Sequence, residues 1–398
     1  EIPGFTLDKT SGAAVSVHHK VTPPASPIPG GLLLTGILIL AAVGLNAYSK
    51  LNPPPGKPNF IHHLHPPTIP AAQSRLAYTL GAGGMAVFLS LVLFVTGLFE
   101  MYYYVPTPES AAVSVQTIAH LVPCGGLIRN LHFWAAQFLV IVMSVHLLRV
   151  VLTGAYAPPR RFNHVLGAAL LAFILLLDFT GYVLRWDEGV HWALVVGANM
   201  LKTIPLIGDG LYRFVIGGNE PGGAALIRFY AWHIFGLTSG AVILTVWHIF
   251  RVRRDGGIAV PPPSERKDEE RITRFDLLRR EVLAMTAAAV FLLLFSLIFP
   301  APLDQPIETF NAMSGDSAAP WFFLWIQYLL KFGDPFVMGI LIPILVVVTL
   351  GALPYILPNA KSGELGGWFP RGNRIAQAAA VSIMFLILLL TVLGAIPN

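Results

Sequence analysis

The chain contains eight apolar stretches long enough to cross a membrane, and this feature constrains its fold more than any other. A helix that spans the hydrocarbon layer needs about 20 mainly apolar residues. Because 55% of the residues are hydrophobic and only 12% are charged, an ordinary soluble globular protein is excluded. We therefore predict an all-α membrane protein with about eight transmembrane helices. The stretches lie at 32–48, 78–104, 131–152, 166–184, 230–251, 281–300, 336–357 and 375–396.

The basic residues are divided unevenly between the two sides that eight spans define. Of the 26 Lys and Arg, 18 fall in the segments 49–77, 149–165, 251–280 and 358–374. By the positive-inside rule these segments are cytoplasmic, and both termini are then expected outside. The net charge of +5 is explained by this topology and by contact with anionic lipid, and no nucleic-acid motif accompanies it.

Cys124 is the only cysteine of the chain. An internal disulfide, a cysteine-ligated iron–sulfur cluster and a Cys-x-x-Cys-His haem attachment are therefore excluded within this chain. Any redox centre that it carries must use other ligands.

Only four of the twelve histidines lie inside the predicted spans, His132 and His146 on the third and His233 and His248 on the fifth. Ionisable residues in a bilayer are costly and mark functional sites. Spacings of 14 and 15 residues return the second histidine to within roughly 40° and 60° of the first, and roughly 21 Å along the helix. Since the two spans run parallel, His132 should pair with His233 on the outer side and His146 with His248 on the cytoplasmic side.

Each predicted pair offers two imidazoles and no carboxylate or thiolate. This ligand set suits axial ligation of haem iron, whereas zinc requires three or four close protein ligands. We therefore predict two non-covalent b haems. Gly83 and Gly97 on the second span, and Gly167 and Gly181 on the fourth, repeat the 14-residue spacing. We expect these glycines to let the backbone approach the porphyrin rings closely.

Three arginines stand at the ends of the histidine-bearing spans, namely Arg129, Arg149 and Arg228. We expect them to pair with haem propionates. The alternative is that they are interfacial arginines whose side chains extend toward water.

Three segments resemble the cytochrome b family. They are Leu-Ile-Arg-Asn-Leu-His at 127–132, Gly-Tyr-Val-Leu-Arg-Trp at 181–186 and Arg-Phe-Tyr-Ala-Trp-His at 228–233. The second is similar to the Gly-Tyr-Val-Leu-Pro-Trp of that family, with arginine in place of proline. The resemblance covers about 60–398.

The 14/15 histidine spacing is similar to that of the chloroplast-type branch. The three spans that follow the core resemble the small subunit of that branch, fused onto it. The resemblance implies a four-helix di-haem core at 60–257 and a three-helix part at 258–398, and we predict an N-terminal tail at 1–59 with an extra helix that lies outside the family pattern. Gly81 stands where that branch carries a cysteine for a third, covalent haem, so no such haem is expected.

The resemblance implies the cytochrome b subunit of a bacterial inner-membrane quinol:cytochrome c oxidoreductase. In such a complex quinol gives one electron to a Rieske iron–sulfur protein and one to the outer haem, and the second electron reaches quinone through the inner haem. Implied partners are the Rieske protein, a c-type cytochrome, quinone and a second copy in a homodimeric complex.

The family oxidises quinol beside a Pro-Glu-Trp-Tyr segment, which the Ala-Pro-Trp-Phe at 319–322 resembles. Trp321 matches, but proline replaces the glutamate that accepts a proton. Asp187 and Glu188, with Asp334 behind them, are the candidate substitutes, and the alternative is that they are ordinary solvated loop acids.

On the cytoplasmic side, the resemblance places Arg253 and Asp276 near a quinone-reducing pocket. A cation there would hold the quinone anion, and a carboxylate would deliver a proton. The alternative is that both residues only belong to the Arg-rich interfacial loop.

Two other functions remain open. One is a di-haem membrane anchor that passes electrons one way between a dehydrogenase or hydrogenase and quinone, and the altered 319–322 segment favours it. The other is a transporter, which would require polar residues along a path and leaves the four histidines unexplained.

Overall fold

The computed structural model describes residues 39, 67–262, 270–306 and 319–396. The predicted first span at 32–48 lies outside the described residues except for Ile39. The described part is mostly helical, as predicted. Its helices of six or more residues are α1 Ala82–Met101, α2 Ala111–His120, α3 Gly125–Leu152, α4 Arg161–Val183, α5 Glu188–Lys202, α6 Gly208–Ile216, α7 Gly223–Arg254, α8 Arg274–Ile298, α9 Leu324–Leu329, α10 Val337–Ile356 and α11 Arg371–Ala395.

Seven of these helices are long and apolar enough to cross a membrane, and each coincides with a predicted span. They are α1, α3, α4, α7, α8, α10 and α11. Their outward faces keep large apolar side chains exposed, for example Val246 on α7 and Phe385 on α11, each 64% exposed. Lipid tails are as apolar as these side chains, so such faces are stable only in a bilayer. The chain is a multi-pass helical membrane protein.

Helices α1, α3, α4 and α7 form the core bundle, in which α1 packs along α3 and α7 along α4. Buried apolar side chains of α1 and α3 interlock, among them Leu89, Val92, Leu131 and Leu139. Before α1 the backbone turns at Gly81, whose φ of +62° lies in the left-handed region that glycine favours.

The C-terminal helices pack directly on this bundle, with α8 against α3, α10 against α4 and α11 against α3 and α9. Hydrogen bonds from polar side chains of α3 stabilise its contact with α8 and the residues that follow α8. Asn130 donates to Ser296 O at 2.9 Å and accepts from Ala301 N at 2.9 Å, and Trp134 Nε1 donates to Phe299 O at 2.7 Å.

A two-stranded antiparallel sheet joins the approaches to α1 and α8 on the basic side. Its strands are β1 Thr68–Pro70 and β2 Arg271–Thr273, with Ile69 opposite Ile272. We call the opposite side of the bundle the outer side, following the charge pattern. There, the predicted loops at 105–130 and 185–229 contain α2, α5 and α6. These helices have at most 15 residues, too short for the span criterion of about 20 residues.

Candidate functional site

His132 on α3 and His233 on α7 face each other across the core bundle. Their ring centroids are 6.3 Å apart and their planes meet at 67°. Metal–imidazole bonds of about 2.0 Å on either side of one metal ion would hold two ring centroids roughly 6 Å apart. The separation of the outer pair is therefore the one at which both imidazoles could bind a single metal ion.

The Nδ1 atom of each outer histidine contacts a threonine hydroxyl from the neighbouring helix. Thr96 Oγ1 lies 2.9 Å from Nδ1 of His132 and already donates to Val92 O at 2.7 Å. This hydroxyl therefore accepts from Nδ1–H, which leaves the Nε2 lone pair for a metal. The arrangement is repeated at His233. Its Nδ1 lies 3.1 Å from Oγ1 of Thr180, which donates to Leu177 O at 2.9 Å, and the same Nδ1 also lies 3.1 Å from Leu177 O.

His146 and His248 form the second pair, on the basic side, and are close enough to interact electrostatically. Here no threonine hydroxyl contacts either Nδ1 atom: Nδ1 of His146 is buried without a hydrogen-bond partner among the described residues, whereas His248 interacts with the backbone of Asn163. The two pairs thus share their ligand type but differ in what orients the imidazoles.

A glycine of the neighbouring helix faces each of the four histidines. The structure shows that the group nearest to a Cβ at these positions is the imidazole itself. The immediate effect of these glycines is therefore to make room for the histidine ring, and their expected role beside the porphyrin ring stays a prediction. A Cβ would lie 3.1, 2.7, 3.3 and 3.4 Å from Cε1 of the histidine in the pairs Gly97–His132, Gly181–His233, Gly83–His146 and Gly167–His248.

Helix α7 contains a π turn at Trp232–Gly236, which includes His233. Such a turn accommodates one additional residue within the helix. The 15-residue separation of His233 and His248 therefore has the angular effect of about 14 residues in a regular helix. Regular geometry predicted an offset of roughly 60° on this helix, and the π turn brings it close to the roughly 40° of α3.

The three arginines have different partners. Arg129 is buried and donates to Ala301 O at 3.0 Å and to Pro302 O at 2.6 Å. Arg228 donates to a backbone carbonyl of α6 at 3.1 Å. Arg149 donates Nε–H to Tyr78 O at 2.8 Å, but its second terminal nitrogen is buried without a partner in the described part of the chain. Among the three, Arg149 is the one with a buried donor left for an anion.

The acids that the sequence suggested for the outer side are held in different ways. Asp187 is 1% exposed and accepts from Arg185 at 2.6 and 2.8 Å and from Val190 N at 3.2 Å, so it caps α5. Burial raises the pKa of the Asp187 carboxyl, and the Arg185 guanidinium acts against this shift. Glu188 is exposed, and Asp334 accepts from Val337 N at 3.1 Å at the start of α10.

Trp321 lies next to two polar residues of the core bundle that our sequence analysis did not consider. Its Nε1–H donates to Gln137 Oε1 at 2.6 Å, and Gln137 Nε2 donates to Asp178 Oδ1 at 3.3 Å. Asp178 is a single acid inside the apolar run 166–184, which is itself a signal of function in a membrane helix. The histidine pattern alone does not reveal it.

Near the basic side, Asp276 exchanges two contacts with Thr273 at the start of α8. Its backbone N–H donates to Thr273 Oγ1 at 3.2 Å, and that hydroxyl donates to Asp276 Oδ2 at 2.6 Å. Arg253 interacts electrostatically with Arg274 and Glu281. The described contacts do not join Arg253 to Asp276.

A fifth histidine, His164, also lies near the inner pair. The sequence analysis assigned it to a loop, whereas it belongs to the first turn of α4, is 4% exposed and contacts Leu350 O through Nε2 at 2.8 Å. No cluster of three or more His, Cys, Asp or Glu suited to a bare metal ion occurs among the described residues.

Fold and site together define a multi-pass helical membrane protein with two pairs of histidines at different depths of its helical bundle. A family model described as cytochrome b (N-terminal)/b6/petB matches residues 137–306. Cytochrome b6 of Heliomicrobium gestii is 38% identical over 192 residues, which are 48% of this chain and 88% of that protein. The chain belongs to the cytochrome b family, and membership implies binding of b-type haem.

One further relative and one solved structure are also similar to this chain. The menaquinol:cytochrome c reductase cytochrome b subunit of Geobacillus thermodenitrificans is 33% identical over 195 residues, 49% of this chain and 87% of that protein. A solved structure described as a hyperthermophilic respiratory Complex III matches with a TM-score of 0.67 at 19% identity, covering 81% of this chain and 85% of that one. At this identity the structural match shows the fold alone.

Proposed function

We propose that this chain is the cytochrome b subunit of a quinol:cytochrome c oxidoreductase in a bacterial inner membrane. His132 and His233 would hold an outer b haem, and His146 and His248 an inner one. The observation that carries the proposal is the outer pair, whose rings face each other at 6.3 Å with both Nδ1 atoms occupied by threonine hydroxyls. When bound, the two haems would carry single electrons between an outer quinol-oxidising site and an inner quinone-reducing site.

The surrounding residues support two haems on chemical grounds. The four glycines leave room for imidazoles between closely packed helices, and Arg149 keeps a buried donor that suits a propionate. Arg129 and Arg228 remain propionate candidates, although each already donates to backbone carbonyls. No covalent third haem forms part of the proposal.

The partners follow from the reaction. Quinol gives up two electrons, and a Rieske iron–sulfur protein would accept the one that does not enter the outer haem. A c-type cytochrome would be the next carrier, in a homodimeric complex. The name of the Geobacillus relative, a menaquinol:cytochrome c reductase subunit, supports this reaction class. Arg253 and Asp276 remain proposed residues of the inner quinone pocket.

A spectrum of the purified complex tests the haem sites. We expect the reduced-minus-oxidised spectrum and a redox titration to show two b haems per chain. Absence of two b haems would contradict both haem-based functions. Electron bifurcation is tested by adding an oxidant in the presence of an inhibitor of the inner site, which should cause additional reduction of haem b.

A di-haem anchor that serves a dehydrogenase or hydrogenase is the second candidate. The observation that favours it is Pro320, which stands where the family has the proton-accepting glutamate. Two b haems without oxidant-induced reduction would support the anchor.

A further inference from the structure

A chain of three polar side chains runs from the outer side into the core bundle. Trp321, at the start of the turn Trp321–Phe323, donates to Gln137 on α3, and Gln137 donates to Asp178 on α4. Gln137 is 8% exposed, and Oδ2 of Asp178 is buried without a hydrogen-bond partner among the described residues. The chain of donors therefore ends on a carboxyl group that has one unsatisfied oxygen.

This relay, Trp321–Gln137–Asp178, lies within about one to two helical turns of the outer histidine pair. Asp178 precedes Gly181, which faces His233, by three residues, or roughly 5 Å along α4. Gln137 follows His132 by five residues, or roughly 8 Å along α3. Phe179, the residue after Asp178, contacts the turn Trp321–Phe323 directly. The ring centroids of Phe179 and Phe323 are 5.7 Å apart.

A carboxyl group with this environment is costly in a membrane helix. The described ion pairs do not include Asp178, and its one described polar partner is a neutral amide. A buried polar atom without a hydrogen-bond partner is destabilising, and a charged one more so. This cost is compensated if Oδ2 accepts a hydrogen bond from a ligand. A quinol hydroxyl can donate such a hydrogen bond.

We propose that Asp178 is the proton acceptor for quinol on the outer side, in place of the glutamate that Pro320 replaces. In this step a quinol O–H bond breaks and an O–H bond forms at Asp178 Oδ2, without transfer of an electron. Gln137 is a positioning residue, since it holds Oδ1 and is itself fixed by Trp321. The inference rests on the proposed quinol oxidation.

The test uses the assembled complex with Asp178→Asn, Asp178→Glu and Glu188→Gln. Because a positioned acid or base contributes about 10²–10⁴-fold, Asp178→Asn should lower kcat for quinol oxidation by at least about 100-fold. Asp178→Glu should restore part of it. Glu188→Gln tests the exposed acid that the sequence suggested. In Asp178→Asn, both b haems and haem reduction through the inner site should be unchanged, which separates a proton-transfer defect from a structural one.

Wild-type kcat in Asp178→Asn, or a large loss in Glu188→Gln alone, would overturn the assignment. If Asp178→Asn does not assemble with haem, Gln137→Leu replaces it. That variant should lower kcat about 10-fold at constant KM. The loss is smaller than for Asp178→Asn because the carboxyl group is still present and only its position is affected. An unchanged kcat would contradict the relay. If the wild-type complex contains two b haems but does not oxidise quinol, the proposed function itself is contradicted. This result is distinguishable from a failure of the Asp178 assignment, which would appear only in the variants.

Discussion

At the scale of single residues, the two histidine pairs differ in what orients their imidazoles. Thr96 and Thr180 accept from the Nδ1 atoms of the outer pair, while the described contacts of the inner pair include no threonine hydroxyl, and the backbone of Asn163 is the partner of His248. A partner on the second ring nitrogen fixes the orientation of a ligand histidine and raises its basicity. The proposed outer haem should therefore depend on threonine hydroxyls in a way that the proposed inner haem does not.

Thr96→Val tests this dependence. The variant removes the acceptor of His132 Nδ1–H at nearly constant volume, and loss of such a partner typically lowers metal affinity 10–100-fold. We expect a shifted midpoint potential or reduced occupancy of one b haem, with the other unchanged, in a redox titration. Ser90→Ala on the same helix is the matched control, since Ser90 bonds only to Ala86 O in the described structure. Equal shifts of both haems in Thr96→Val would contradict the prediction.

Gly181→Ala and Gly167→Ala form a matched pair on α4. An added Cβ would lie 2.7 Å from His233 Cε1 in the first variant and 3.4 Å from His248 Cε1 in the second. Both substitutions gain about 1 kcal/mol of helix propensity, so the difference between them reports the contact with histidine. We expect Gly181→Ala to lose most of one b haem and Gly167→Ala to retain both, as measured by haem content per chain. The reverse order would contradict this account of the glycines.

At the scale of elements, the π turn Trp232–Gly236 decides how α7 presents its two histidines. Without it, the spacing of 15 residues would turn His233 and His248 away from the register of α3. A single π turn inside a long helix is uncommon and often marks a functional site. Here it matches the register of α7 to that of its partner helix.

Single-residue deletions test this role. Removing Phe235 should convert the π turn into regular helix while keeping both histidines in register, so both b haems should remain. Removing Ile141 from α3, which has no π turn between His132 and His146, should rotate one histidine by about 100° and abolish one haem. Both deleted residues are exposed, at 73% and 46%. The spectra of the two variants are the measurement, and equal haem loss in both would refute the role of the π turn.

At the scale of the whole molecule, ion pairs and hydrogen bonds on the outer side join the core bundle to the segment after α8. Arg185 contacts both Asp187 and Asp304, at 2.6 and 2.8 Å. Arg129 donates to the carbonyls of Ala301 and Pro302. These contacts hold the C-terminal helices against the histidine-bearing bundle.

Asp187→Ala should weaken the contacts that Arg185 makes between the core bundle and the segment after α8. The variant removes both the cap of α5 and the closest acceptor of Arg185, and the cap alone is worth about 1 kcal/mol. We expect a lower Tm of the detergent-solubilised complex, with the haem spectrum unchanged at low temperature. Glu188→Ala, the exposed neighbouring acid, is the control for stability and should leave Tm nearly constant. A normal Tm in Asp187→Ala would show that Asp304 alone satisfies Arg185.

The spans and the two histidine pairs were predictable because hydropathy and helical period are local properties. Twenty apolar residues in succession specify a membrane helix wherever the rest of the chain lies. Likewise, a 14-residue spacing places His132 and His146 near one face whatever packs against it. The short helices of the outer side were missed because amphipathic segments of 9–15 residues do not reach the length of a span.

The partners of lone polar residues were decided only by the tertiary structure. Asp178 lies 41 residues from Gln137, which lies 184 residues from Trp321, and a sequence does not reveal which apolar helices will bring them together. The same holds for the π turn around His233, which depends on the register of a facing helix. By itself the sequence determined a membrane bundle with four intramembrane histidines. Packing between distant helices decided how those histidines are oriented and which acid lies next to Trp321.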